Sequence, residues 1–197
     1  MVLRAVRPFA AHPDTCHVTI VLPPADADAP PDWIRAVMSD VLSVAAGGAD
    51  RGASVAAGLA ALPDECRVVV VHDAARPFVE REVIDGVILA ARGGAGAVAA
   101  IRLTDTLKEA DPGSRTVRRT LPRDDLWRAQ TPQAFPRELI TSAHRAAAAD
   151  GIAATDDAAL VERLGAEVRL VPDSPRNFKV TTADDMALAE RWAIHHP

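Results

Sequence analysis

The sequence predicts an α/β protein, a Rossmann-like three-layer fold with a mostly parallel sheet, and three observations carry that prediction. Short apolar runs alternate with stretches of helical periodicity along most of the chain. The clearest run, Val68–Val71, is unbroken valine without polar alternation, which suits a strand covered on both faces. The repeated strand–helix–strand order favours parallel pairing with helices on both sides.

The elements follow in order. Residues 17–22 form a short apolar run ending at Pro23-Pro24 and read as a strand. Residues 31–44 place Trp33, Ile34, Val37, Met38, Val41 and Leu42 at helical spacing and read as a helix. Gly47-Gly48 opens a loop, and residues 54–62 read as a helix stopped by Pro63. Residues 67–71 are a strand, 80–92 a helix closed by Gly93-Gly94, and 96–101 another buried strand. From 104 to 133 the helical period disappears. Asp111-Pro112-Gly113-Ser114 marks a turn there, so this stretch reads as an exposed two-stranded arm and its return. Residues 136–149 are a helix with proline in its first turn. Thr155 caps a helix through 164, with Asp156 and Asp157 near its positive end. Residues 167–171 and 177–181 read as short strands, and Thr182 caps a last helix over 183–194.

Composition narrows the function classes. The chain has 197 residues, 49% hydrophobic and 25% charged, close to an ordinary globular protein, and a single domain over 1–197 is expected. The formal net charge of -5 argues against duplex nucleic-acid binding, which needs a dense basic surface. Cys16 and Cys66 are too few for a disulfide framework and read as small buried hydrophobes in a reducing cytoplasm. No apolar run reaches the roughly 18–20 residues of a membrane span, and no signal-peptide pattern opens the chain. A cytoplasmic protein with no membrane contact is expected. Lys108 and Lys179 are the only lysines, so each invites a question about its role.

Ligands of such sheets bind beyond the carboxyl ends of the strands. His72-Asp73-Ala74-Ala75-Arg76-Pro77 lies there, directly after the valine strand. Asp73 suits a divalent metal on a polyphosphate or a sugar-like hydroxyl, Ala74 and Ala75 leave room for backbone approach, and Arg76 suits a phosphate clamp. The bland alternative is a strand-end turn with a capping Asp and a solvated Arg. Residues 47–54 lead glycine-rich backbone into a helix N-terminus, which attracts phosphate or the edge of a base; a turn capped by Asp50 or Ser54 is the alternative. Arg115, Arg118, Arg119, Arg123 and Arg128 crowd the arm as a solvated basic face or an anion clamp. Lys179, within Asn177-Phe178-Lys179-Val180-Thr181-Thr182, is a surface strand lysine or a phosphate ligand. His144, His195 and His196 read as surface or terminal residues. No Walker A pattern, nucleophile elbow or Ser/His/Asp order occurs.

Taken together, six blocks resemble the 2-C-methyl-D-erythritol 4-phosphate cytidylyltransferases of non-mevalonate isoprenoid synthesis. They are residues 47–59, 72–77, 105–108 (Asp-Thr-Leu-Lys), 126–135 (Leu-Trp-Arg-Ala-Gln-Thr-Pro-Gln-Ala-Phe), 155–158 and 177–182, in the family's order. The resemblance implies a homodimer interlocked by the arm over 104–133 and a reaction of CTP with a polyol phosphate, with Mg²⁺ as cofactor. It implies that Gly48, Ser54 and Ala74 contact the nucleotide, and that Asp73 touches substrate and metal. It further implies that Arg76, Thr106 and Thr131 line the methylerythritol phosphate pocket and that Arg123 and Lys179 hold its phosphate for in-line attack. The Gln-Thr-Pro-Gln wording also resembles forms fused to a downstream cyclase domain. An enzyme for another polyol phosphate, such as ribitol 5-phosphate, and an inactive ligand-binding relative are the alternatives.

The chain departs from the family pattern in two places. Val2-Leu3-Arg4-Ala5-Val6 resembles the middle of the family's first helix, so the first βα unit, with its glycine-rich phosphate loop, Arg and Lys, is expected to be missing through truncation. Little or no turnover is expected from such a form. Ala49 stands where some members have an acid, and Asp50, one place on, is the nearest substitute.

Overall fold

A computed structural model describes residues 1–153 and 155–195. The strands form two packed pieces and an arm. β1 (Val18–Leu22) pairs in parallel with β2 (Leu42–Ala46), Val18 opposite Leu42 and Leu22 opposite Ala46. The larger piece has the order β3 (Val68–Val71), β7 (Trp127–Pro136), β4 (Gly96–Arg102), β8 (Val168–Pro172). β4 and β8 are parallel, whereas β7, returning from the arm, runs antiparallel to both its neighbours.

Helices cover both faces. α5 (Arg81–Arg92) buries Val83, Ile84, Val87, Ile88 and Ala91, its regular apolar stripe, against Val70, Ala97, Ala99, Ala134 and Val171. Gly86 lets it approach closely, since a Cβ there would stand 2.8 Å from Val171 Cγ1. The opposite core gathers Leu59, Val69, Val98, Phe135, Ile140, Ala143 and Val161 beneath α4 (Arg51–Ala61), α6 (Arg137–Ala149) and α7 (Asp157–Arg163). Phe135 and Ile140 are fully buried there, each worth about 2–3 kcal/mol in transfer from water.

Five local expectations are corrected. The helix expected over 31–44 is only α3 (Asp32–Arg35), preceded by α2 (Pro24–Asp28), and its last part is strand β2. Trp33, Val37, Met38 and Val41 are exposed while Ile34 is buried, so their spacing marks no buried stripe. Pairing with β1 decides a short apolar run that periodicity alone leaves ambiguous. The cap of α7 is Asp156, whose carboxylate accepts from the Ala159 N–H at 3.0 Å, not Thr155. Residues 177–181 form no strand; the Val180 N–H instead donates to the Ala75 carbonyl at 2.8 Å. His144 is buried rather than superficial, while His195 is exposed and His196 lies outside the described residues. Cys66 is buried as expected, but Cys16 is exposed.

The final helix, α8 (Ala183–His195), starts as expected: Thr182 Oγ1 accepts from the Asp185 N–H, and the Asp185 carboxylate accepts from the Thr181 and Thr182 N–H groups in return. Those bonds hold the Asp185 carboxyl down at about 2. The arm is a separate two-stranded sheet of β5 (Leu107–Ala110) and β6 (Val117–Leu121), turned at Gly113, whose φ of 78° suits glycine. β1 and β3 do not pair. Their facing edges, Val18–Val21 and Val68–Val71, line a cavity of about 680 Å³ that reaches Ser54, Asp73 and Ala74. Among the described residues no helix is long and apolar enough to cross a membrane.

Candidate active site

The site grows from the carboxyl end of β3. The antiparallel register sets Val71 opposite Gln133, and two steps further brings Thr131 beside Asp73. The β4–β7 register also shifts between Val98 and Ala100, so Gln130, Thr131 and Pro132 bulge from the ladder. Such irregularities re-aim side chains near active sites. Here the Thr131 hydroxyl accepts from the Asp73 N–H at 2.9 Å and meets His72 Nδ1 at 3.2 Å. His72 Nε2 lies 2.9 Å from the Arg76 carbonyl, an obligate acceptor, so the proton sits on Nε2 and Nδ1 accepts from Thr131. Burial pushes His72 down to about 4, which keeps the ring neutral at physiological pH.

Asp73 faces two cations. Lys179 Nζ is 2.9 Å from its Oδ2, and Arg76 Nε is 3.7 Å from the same oxygen. Arg76 Nη1 donates to the Asn177 carbonyl at 2.8 Å, which Gln130 Nε2 shares at 2.9 Å. Burial lowers the Arg76 guanidinium, yet arginine stays charged, and burial raises the Asp173 carboxyl nearby. The result is a half-buried group of two cations around one carboxylate, set at strand ends where a compact anion can dock.

The glycine loop forms a second wall. Asp50 caps α4 by accepting from the Ala53 N–H at 2.7 Å. Ser54 Oγ accepts from the Gly48 N–H at 3.1 Å and donates to the Asp50 carbonyl. A Cβ at Gly48 would fall 2.4 Å from Ala53 Cβ, so the close approach requires glycine. Behind this loop Arg51 donates to Asp157 at 2.7 Å, and His144 Nε2 lies 2.8 Å from the same carboxylate. Burial alone would raise Asp157, but His144 and Arg51 bring it below its ordinary value.

The structure thus brings Asp73, Arg76, Thr131 and Lys179 together, and sets Ser54 and Ala74 on the same cavity as Asp73. Thr106 is exposed just before β5. Arg123 stands at the base of the arm, donating to the Thr104 carbonyl, outside this cluster. On the arm, Glu109 pairs with Arg118 and Arg119, so two of its arginines are engaged locally. Sequence reasoning assigned no role to His72, Gln130, Asp173 or Asn177. Their signal was available: polar residues inside an otherwise buried strand or next to it require partners.

The donor set can be tested against magnesium. Among the described residues no three metal-binding side chains cluster, but Asp73 presents one hard carboxylate beside Lys179 and Arg76. That suits an ion that keeps several waters and takes phosphate oxygens, and not one held by a protein cage.

A family model described as "IspD: 2-C-methyl-D-erythritol 4-phosphate cytidylyltransferase" matches residues 1–194. A 2-C-methyl-D-erythritol 4-phosphate cytidylyltransferase of Salinibacter ruber is 44% identical over 183 residues, covering 92% of this chain and 76% of its own. A bifunctional enzyme IspD/IspF of Desulforudis audaxviator is 42% identical over 95% of this chain and 48% of its own. The crystal structure of the cytidylyltransferase from Thermus thermophilus superposes with a TM-score of 0.84 at 35% identity, covering 98% of this chain and 89% of that one.

Proposed function

The chain belongs to the 2-C-methyl-D-erythritol 4-phosphate cytidylyltransferase family, and from that premise we propose that it couples 2-C-methyl-D-erythritol 4-phosphate to CTP. One observation carries the reading: Asp73, Arg76, Thr131 and Lys179 converge at the carboxyl end of β3, beside the glycine loop. A phosphate oxygen of the acceptor attacks the α-phosphorus of CTP, the bond from that phosphorus to the bridging oxygen breaks, and diphosphate leaves. Such transfers ask the protein for positioning and charge more than for covalent chemistry.

The residues divide the work. Gly48 and Ser54 present the loop to the cytidine, and Ala74 leaves space for it. Arg76 and Lys179 hold the acceptor phosphate, while Asp73 orients both cations and accepts from a polyol hydroxyl. Thr131 fixes the Asp73 backbone, and its neutral partner His72 adds no competing charge. Magnesium held through Asp73 would neutralise charge on the nucleotide phosphates. Thr106 and Arg123 lie on or beside the arm, so they complete a pocket across a homodimer whose partner they reach. The working place of such an enzyme is the cytoplasm.

The test is turnover by the protein expressed from its complete reading frame, with CTP, Mg²⁺ and either methylerythritol phosphate or ribitol 5-phosphate. Diphosphate release with the first acceptor in strong preference supports the reading; preference for the second overturns the substrate.

A further inference from the structure

We infer that Asn177 is the positioning residue that sets Arg76 in register with Lys179. The inference rests on the cytidylyltransferase reading only for the identity of the anion. Asn177 is fully buried, and its contacts join three separate stretches of chain. Its side-chain amide donates to the Thr131 carbonyl at 2.7 Å and to Asp173 Oδ2 at 2.6 Å. Its backbone carbonyl accepts from Arg76 Nη1 at 2.8 Å and from Gln130 Nε2 at 2.9 Å. Two positions on in the same stretch stands Lys179, on the Asp73 carboxylate.

The chemistry restricts what can occupy position 177. Two acceptors face its side chain, one a carbonyl and the other a carboxylate, so it must supply two N–H donors on one short stem. A primary amide does so. A carboxylate of the same shape would set acceptor against acceptor, and alanine would take the side-chain donor from both the Thr131 carbonyl and Asp173 Oδ2. Asp173 is itself held, accepting from the Ser174 N–H at 2.6 Å, so it serves as a fixed anchor. The Arg76 contact is made by a backbone carbonyl that no substitution removes. The side chain therefore acts through placement: it fixes that carbonyl, the carbonyl fixes Arg76, and the short link to Lys179 fixes the spacing of the two cations. A buried amide held through both of its N–H donors orients the residues that touch substrate without touching it.

The test uses Asn177→Ala and Asn177→Asp in the protein expressed from its complete reading frame, assayed with whichever polyol phosphate the unmodified protein turns over. Wild-type turnover tests the functional reading; the ratio of variant to wild type tests this inference. The KM for the acceptor is expected to rise about tenfold or more in both variants, with the KM for CTP within about twofold. In an Arg76→Lys background the same Asn177→Ala change is expected to cost less than about threefold, because the two residues act as a unit. An acceptor KM that stays within about twofold of wild type, or equal losses for CTP and acceptor, overturns the inference. Asp173→Asn leaves Asn177 in place but offers one acceptor oxygen to the two donors of Ser174 and Asn177, so it loosens the anchor and supplies a further variant should the others not fold. A selective rise in acceptor KM is expected there too, and its absence counts against the inference.

Discussion

Lys179 Nζ and Asp73 Oδ2 stand 2.9 Å apart, joining a residue from the approach to the last helix to one at the end of β3. The lysine is roughly half exposed and the carboxylate mostly buried, so the pair lies at the lip of the site. In the proposed reaction an incoming phosphate competes with Asp73 for the ammonium, and Arg76 Nε lies 3.7 Å from the same carboxylate oxygen. Lys179→Ala is expected to lower kcat/KM for the acceptor about 100-fold or more, as loss of one aimed cation does in such sites. Steady-state kinetics at varied acceptor concentration measure it. Asp73→Asn is expected to lower activity too while weakening the dependence on Mg²⁺ concentration, which a magnesium titration shows.

Gly48→Ala tests the nucleotide wall. Its new Cβ would meet Ala53 at 2.4 Å, so the loop must shift away from the Ser54 hydroxyl. The KM for CTP is expected to rise about tenfold, with the acceptor KM little changed, the opposite split from that expected at Asn177.

Much of this was legible in the sequence, for physical reasons. The unbroken valine run and the 12-residue α5 stripe are regular patterns decided locally, and the turn at Gly113 needs a residue that accepts positive φ. The strand end after Val71 is the kind of place where open α/β sheets bind ligands, and the candidate site is proposed there. What the sequence concealed depends on distant partners. The stretch at 42–46 becomes a strand because β1 lies beside it, and His144 is buried because Asp157 on another helix receives it. The bulge at Thr131 arises from a register shift against β4. The role proposed for Arg123 needs a second subunit, which no local pattern announces.

The dimeric reading of the arm makes its own prediction. Arg123 lies outside the cluster formed by Asp73, Arg76 and Lys179 in one chain. If it serves the neighbouring subunit, Arg123→Ala and Lys179→Ala are each nearly inactive alone. Mixing and reassociating the two is expected to restore about a quarter of wild-type turnover, since half the dimers are mixed and each has one intact site. Activity of the mixture no greater than that of the separate variants would place Arg123 in its own subunit or outside the site.

Asp157 predicts an acid limb in stability. Its carboxyl is buried with His144 and Arg51 and titrates below the ordinary 3.8. A depressed carboxylate stabilises the fold above the unfolded value and ceases to do so as pH falls through the folded one. Asp157→Ala is expected to cost about 1–3 kcal/mol at pH 7, because it leaves the buried His144 Nε2 without its partner. The difference from wild type is expected to shrink as pH falls below 3.8. Urea denaturation at pH 7 and across the acid range checks both.

The most direct measurement is diphosphate release from CTP by the protein expressed from its complete reading frame, with Mg²⁺ and methylerythritol phosphate, comparing wild type with Arg76→Ala. Rapid release by wild type and its near-complete loss in the variant is the expected result. Equal release by both would show that the cations gathered at the end of β3 do not hold the acceptor.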